Sequence, residues 1–399
     1  MRCCTATRRT GAAAALLAAV TLCSPAVFAV AHRPDRDDVV LERLSPASVA
    51  LRQLRGTGTP PVTIALDDAL ARARHFIQIG QIYSDPRAYG YAQASLGPWW
   101  TADPAPPRLL VMRARILQFR HEFDAALAQL EPALKSDQFD PDAWLLFAGI
   151  EQVRGNVRAA RAACLKLIPI SDPLVGATCA ASIAALAGRT REAEQLLAQA
   201  LTQPTAVSPD TRTWAWTTLA ELRVRHMDGT AAEEAFREAL WLTHDDVYTR
   251  AAYADFLLDE NRPREVRKLL GSDTTQADAT LLRAAIAAQR DGDADAAILR
   301  NTLAQRFAEA RERGDRTHLR EQARFALEVE QDAPRALELA QQNFSVQREP
   351  ADARVLLESA LAAGNAEAAQ PARDWLRETG IDAPRLQALA QHVQSGVQR

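Results

Sequence analysis

From Leu66 onward, apolar residues recur every three to four positions, the spacing of one face of a helix, and the pattern runs with short breaks almost to the end of the chain. The stretch from Trp144 to Cys164 sets the unit. It predicts two short helices, the first carrying Trp144, Phe147 and Ala148, the second Ala160, Cys164 and Leu167, with Gly155-Asn156 as the turn. Small residues let two such helices approach closely, while the large ones fill the space between successive pairs. Ala160 has counterparts at Ala92, Ala126, Ala193, Ala232 and Val266, a regular recurrence with one longer interval between Ala193 and Ala232.

The pairs that this spacing implies are clearest between residues 107 and 270. Their first helices carry Leu110/Ala114/Leu117, Trp144/Ala148, Ala177/Ala181, Trp216/Ala220 and Ala254/Leu257. Their second helices carry Ala126/Leu130/Ala133, Ala160/Cys164, Ala193/Leu197/Ala200, Ala232/Phe236/Ala239 and Val266/Leu270. An irregular first unit precedes them, with Ala92 and Leu96 on its second helix and an end at Pro98-Trp99-Trp100. The extra residues of the longer interval fall in the Pro/Ser/Thr loop Thr202–Arg212. Beyond Gly271 the register loosens, but helix pairs continue over 281–313, 317–343 and 351–379, with a terminal helix expected over 384–394. About nine pairs result.

A two-helix unit of about 34 residues in consecutive copies resembles the tetratricopeptide-repeat family, in particular its exported bacterial members, over roughly residues 66–380. The resemblance implies an all-α, right-handed α-solenoid of antiparallel helix pairs. It further implies a concave face lined by the first helices that binds a protein or peptide segment. The expected division is 1–31 signal peptide, 32–65 polar linker or N-terminal cap, 66–270 regular units, and 271–399 degenerate helix pairs with a C-terminal cap.

Residues 1–31 read as an export signal. Arg2, Arg8 and Arg9 form a basic start, Gly11 to Leu22 an apolar run too short to span a bilayer, and Ala29-Val30-Ala31 a small-x-small cleavage pattern. Cut after Ala31, the mature chain is expected to be soluble and periplasmic or secreted. Lipidation at Cys23 is disfavoured, because bulky Leu22 stands where a small residue is needed. Removing the signal takes Lys+Arg from 47 to 44 against 50 Asp+Glu, a formal charge of −6. That argues against nucleic acid as the main partner, since phosphate binding needs a basic stripe.

Candidate chemistry is sparse. Asp291-Gly-Asp293-Ala-Asp295 opens like a calcium loop, but Ala296 stands where glycine is required and Thr302 where a bidentate Glu is required. It reads instead as an acidic turn ahead of a helix. His121-Glu122 lacks the second His of a zinc-protease helix, and His244-Asp245-Asp246 reads as a solvated turn. The sequence has no nucleophile elbow and no Walker loop, and Gly56-Thr-Gly58 lacks the third glycine of a dinucleotide fingerprint. No catalytic constellation, cofactor site or metal site is expected.

Tyr83, Tyr89, Tyr91, Trp99 and Trp100 form the densest aromatic cluster. It reads as a cap over a first repeat that has no predecessor to bury its face, with a ligand grip as the rival reading. The groove-facing positions expected from helical register are Arg115, Gln118, Gln152, Trp214, Glu221, Tyr248 and Asp255. Glu221 and Asp255 would favour a ligand carrying Arg or Lys, while Trp214 has the alternative of folding back over the loop Thr202–Arg212. Cys164 and Cys179, the two cysteines of the mature chain, fall on successive helices of neighbouring units. In an oxidising compartment they are expected to pair. The sequence thus points to a non-enzymatic periplasmic scaffold that binds a protein or peptide segment. The alternative is an accessory factor of envelope polysaccharide or cell wall, whose groove would gather more aromatics and acids. An RNA-reading helical repeat fits neither the export signal nor the charge.

Overall fold

The computed structural model of the chain describes residues 65–83, 85–273, 277–312 and 314–395. The export signal expected over 1–31 and the linker expected over 32–65, save its last residue, lie outside the described residues. The described chain is helical, arranged as nine antiparallel pairs and a terminal helix. The first three pairs are α1 (Leu66–Tyr83) with α2 (Pro86–Ser95), α3 (Pro107–Phe119) with α4 (Phe123–Ser136), and α5 (Pro141–Val153) with α6 (Val157–Leu167). The next three are α7 (Pro173–Leu186) with α8 (Thr190–Leu201), α9 (Pro209–Arg225) with α10 (Gly229–Leu242), and α11 (Val247–Asp259) with α12 (Pro263–Leu270). The seventh joins α13 (Asp278–Asp291) to α14 (Ala296–Glu312). In the eighth, α15 (Leu319–Arg324) runs on as a π-helical turn through Phe325–Glu330 and packs on α16 (Ala333–Val346). The ninth is α17 (Pro350–Ala362) with α18 (Gln370–Thr379), followed by α19 (Pro384–Ser395).

Local chemistry explains where the helices start. Several first helices open with an acidic or hydroxyl N-cap followed at once by proline, which has no N–H to leave unsatisfied. The Asp140 carboxylate accepts from the Ala143 N–H at 3.0 Å, Asp172 from Leu174 at 2.8 Å, and the Ser208 hydroxyl from Thr211 at 3.2 Å. Second helices lean on Asn156, Asp228 and Asp332 in the same role.

The turn inside each pair is equally regular. From the second pair to the ninth, one residue adopts positive φ: His121, Gly155, Gly188, Met227, Asn261, Gly292, Gln331 and Gly364 in succession. Four are not glycine, and each of those carries a backbone cost of about 1–2 kcal/mol.

The alanine column of the sequence is buried in each unit. Ala92, Ala126, Ala160, Ala193, Ala232 and Val266 are all 0–1% exposed. In pairs two to six this residue is the fourth of the second helix. The same position in pairs seven and eight is Leu299 and Ala336, and Ala369 occupies the matching place beyond the Gly364 turn of pair nine, all three fully buried. The steps from Val266 to Leu299, Ala336 and Ala369 thus keep to the unit of about 34 residues. A continuous apolar core from Leu174 to Val329 crosses residue 270 without a break.

Pair seven hides the register for a local reason. Two extra residues after Gly292 delay α14, and Leu299 replaces the small residue of the column. The acidic turn that inserts them is held by arginines. Asp291 pairs with Arg264 at 3.1 Å, Asp293 with Arg267 at 2.9 Å, and Asp295 with Arg267 again.

Cys164 on α6 and Cys179 on α7 are joined by a disulfide, with Cα atoms 5.8 Å apart. It staples pair three to pair four inside the apolar stack. At the other end of the array, the Tyr89 ring stacks on Phe119, and Tyr91 lies 5.5 Å from Phe76. Trp99 and Trp100 pack on the same cluster. These aromatics, the described part of the expected cap, close the face of the first pairs. Burial pushes the Tyr89 phenol up to about 12.

Candidate functional site

The array curls until its last pairs meet its earlier ones. The Arg348 N–H donates to the Val153 carbonyl at 2.7 Å, and the Thr190 hydroxyl to the Asp382 carbonyl at 3.3 Å. Arg354 grips Asp259 with two bonds of 2.7 Å, and Arg385 reaches Glu260 at 2.6 Å. Val157 and Leu186 of the early pairs join the apolar cluster of pairs eight and nine. Along this seam two glycines allow close approach, Gly155 to side chains and Gly188 to backbone. A β-carbon on Gly155 would crowd Arg348 and Trp375, and Gly188 is packed against Gly380. Both glycines also hold positive φ, so any other residue there would combine strain with overlap.

The seam closes over the inner faces of the first helices and leaves a cavity of about 870 Å³. On α9 the stripe Thr218, Glu221, Leu222, Arg225 faces it, with α11 contributing Tyr248, Asp255 and Asp259. From the opposite side come His318, Arg320 and Glu321 at α15, and Glu349 and Arg354 at α17.

Five of the seven residues expected in the groove, Gln118, Gln152, Glu221, Tyr248 and Asp255, line this cavity. Arg115 and Trp214 do not line it, and both miss for the same reason. Each lies on the correct helix face but about one turn nearer the N-terminus than the first lining residue, Gln118 or Thr218 respectively. Arg115 pairs instead with Asp142 at 3.7 Å, and Trp214 is half-buried.

The charges of the cavity fall into two groups. One is a closed network. Asp255 receives Arg283 and Arg324, each at 2.7 Å, Arg324 also holds Glu328 at 2.9 Å, and Arg320 reaches Asp352 at 3.4 Å. Burial works to raise the Asp255 carboxyl, but its two guanidiniums outweigh it and hold the group well below the usual carboxylate range. Burial is likewise outweighed at Glu321, where Arg320 and Arg283 keep the acid low. The expectation that Asp255 would favour a basic ligand therefore needs correcting, because two arginines of the chain already occupy it.

The second group is open. Glu221 accepts a 2.7 Å hydrogen bond from the neutral Tyr248 hydroxyl, and burial raises its pKa. Glu349 takes a 3.3 Å bond from Gln152 and lies 3.8 Å from Arg320; burial and the charge of Asp352 push it up to about 7. Arg225 makes no ion pair among the described residues, its Nη1 is buried without a hydrogen-bond partner, and burial lowers its pKa. Tyr248 is 59% exposed, with the ring looking into the cavity. The negative charge of Glu221 pushes its phenol well above the ordinary value, so it remains a donor. Nearby, His121 contacts Gln347 at 3.0 Å, and burial together with His318 lowers it to about 4.

Sequence register was able to supply Arg225, which lies four residues after Glu221 on one face of α9. It had no means of supplying Arg320 or Glu349, which reach the cavity only because the array returns on itself. Among the described residues no group of acidic, His or Cys side chains is arranged to hold a metal ion, and no helix is long and apolar enough to cross a membrane.

No protein-family model matches the chain, and no curated protein does. Solved structures do. Pseudomonas aeruginosa pilF aligns at 20% identity and a TM-score of 0.39, over 51% of this chain and 92% of its own. A thermophilic tetratricopeptide-repeat protein of Thermus thermophilus aligns at 18% identity and 0.39, over 49% and 100%. A tetratricopeptide-repeat protein from Parabacteroides merdae aligns at 12% identity and 0.35, over 73% and 98%. The fold rests on the chain's own geometry. The nine pairs, the recurring positive-φ turn and the buried, mostly small-residue column that marks each unit make this chain an all-α, tetratricopeptide-like solenoid.

Proposed function

We propose that the chain is a non-enzymatic scaffold of the bacterial periplasm, or a secreted one, that binds a protein or peptide segment in its concave cavity. The observation that carries the reading is the open charge group, Glu221, Glu349 and Arg225 around the Tyr248 ring, inside a cavity of about 870 Å³. Charges needed for the fold alone are matched within the chain, as Asp255 is by Arg283 and Arg324. Arg225 has no ion partner among the described residues, Glu221 is met only by a hydroxyl and Glu349 by an amide and a distant Arg320, which leaves these groups to serve an occupant. Export is supported by the basic start and apolar run of residues 1–31 and by the Cys164–Cys179 bond, which suits an oxidising compartment. A polysaccharide occupant is less favoured, because arginines stand among the acids of the lining and aromatics are few.

The test is capture from periplasmic extract by the chain beginning at His32, alongside Tyr248→Ala. A partner of this cavity is retained by the unaltered chain and lost, or weakened by about 1–2 kcal/mol, with Tyr248→Ala. Melting temperatures of the two proteins should agree. Equal capture by both would move binding away from the cavity and end the proposal.

A further inference from the structure

The cavity's open charges are of both signs, and they lie close together. Glu221 and Arg225 are one turn apart on α9, a separation of about 5–6 Å between β-carbons, yet no ion pair joins them among the described residues. Glu349 comes to the same region from α17. Arg225 keeps a buried Nη1 without a partner, Glu221 is met only by the Tyr248 hydroxyl among the described residues, and Glu349 by Gln152 and a 3.8 Å approach of Arg320, so each has bonding capacity left for an occupant. A purely cationic occupant would answer the two acids and leave Arg225 orphaned. A purely anionic one would do the reverse. An aromatic ring beside the two acids adds a face on which a guanidinium or ammonium can rest.

We infer that the cavity receives a dipolar ligand, a short peptide stretch with a cationic and an anionic side chain on neighbouring residues, its anion held by Arg225 and its cation by Glu221, Glu349 and the Tyr248 ring. The inference rests on the proposed peptide-binding role and adds the charge pattern that the peptide must carry. Adjacent residues of a peptide sit about 3.8 Å apart at Cα, so their charged ends span the Glu221–Arg225 interval. The volume of about 870 Å³ is within the range of roughly 300–1,000 Å³ found for sites that enclose small ligands. Arg283 and Arg324 do not compete for the anion, because Asp255 already holds them, and Arg320 is drawn toward Asp352 and Glu349.

The experiment titrates the full chain calorimetrically with acetyl-Arg-Asp-amide, with its citrulline-Asp analogue and with its Arg-Asn analogue. The doubly charged peptide should bind, and each neutral replacement should weaken it at least tenfold. Arg225→Met should erase the preference for Asp over Asn while leaving the preference for Arg over citrulline. Glu221→Gln combined with Glu349→Gln should do the opposite. In the unliganded protein Arg225→Met should leave the melting temperature unchanged or raise it. No binding of the doubly charged peptide, equal binding of all three, or a fall of more than about 5 °C with Arg225→Met would each overturn the inference. A cavity partner captured in a Tyr248-dependent but Arg225-independent way would overturn it too, and would leave the proposed function standing.

Discussion

A β-carbon on Gly188 would run into the carbonyl oxygen of Gly380, so the turn of the fourth pair and the end of α18 meet at backbone distance across almost half the chain. That approach is the tightest glycine contact of the seam. Gly188→Ala should therefore destabilise the protein by about 1–3 kcal/mol more than Gly364→Ala, the overlap being the difference. Gly364 shares the positive φ but has open space around its missing β-carbon. Denaturant unfolding of the two variants measures this, and equal losses would show that the seam tolerates the extra carbon.

Cys164 and Cys179 close a loop with a sequence separation of 15. Loss of such a bond is expected to lower stability by about 3 kcal/mol on the chain-entropy account. Protein exported and purified without reductant should show no free thiol from these two positions on unfolding. Its midpoint should fall with reductant, whereas that of Cys164→Ala/Cys179→Ala should not.

Met227 holds φ at 67° in the turn of the fifth pair, with half its surface in solvent. Glycine relieves that strain and loses little packing. Met227→Gly should raise stability by about 0.5–1 kcal/mol, the strain relief less the added freedom of the unfolded chain. A drop in midpoint would mean that the methionine packs more than its exposure indicates.

Glu349 and His121 give opposite pH dependences. Glu349 is raised to about 7, so the folded state binds the extra proton, and stability falls as pH rises from the ordinary carboxylate range through 7. His121 is lowered to about 4, so the unfolded state binds the extra proton, and stability falls as pH drops from about 6.5 through 4. The two windows overlap, so the contributions oppose each other between about pH 4.5 and 6.5: Glu349→Gln should make stability rise more steeply with pH there, and His121→Gln should make it rise less or fall. An unchanged slope between pH 5 and 7 in Glu349→Gln would remove Glu349 from the account.

The sequence carried the unit and most of its inner face. Ala126, Ala160, Ala193 and Ala232 announce the crossing because a small residue recurs there at a fixed interval, and the helical period then places Gln118, Gln152, Glu221, Tyr248 and Asp255 toward the groove. The period does not say where along a helix the cavity begins, and so register alone sets Arg115 and Trp214 in the groove although they lie one turn too far out. Beyond residue 270 the column persists through Leu299, Ala336 and Ala369, but a leucine and a lengthened turn conceal it. The fate of Asp255 was not legible from local pattern, since Arg324 reaches it from 69 residues away. Nor was the entry of Glu349, because the return of the array depends on curvature summed over many pairs.

That return changes the thermodynamic character of the molecule. A linear array of helix pairs behaves as a one-dimensional chain in which each unit feels only its neighbours, and its ends fray independently. Here the eighth and ninth pairs are bonded to the third, fourth and sixth, so the energy of the last units is shared with the middle of the molecule. Removing residues 350–395 should then weaken the protein by more than the two structural elements it deletes, α17 with α18 and α19. The remaining pairs should melt over a broader range, as an open stack rather than as one unit.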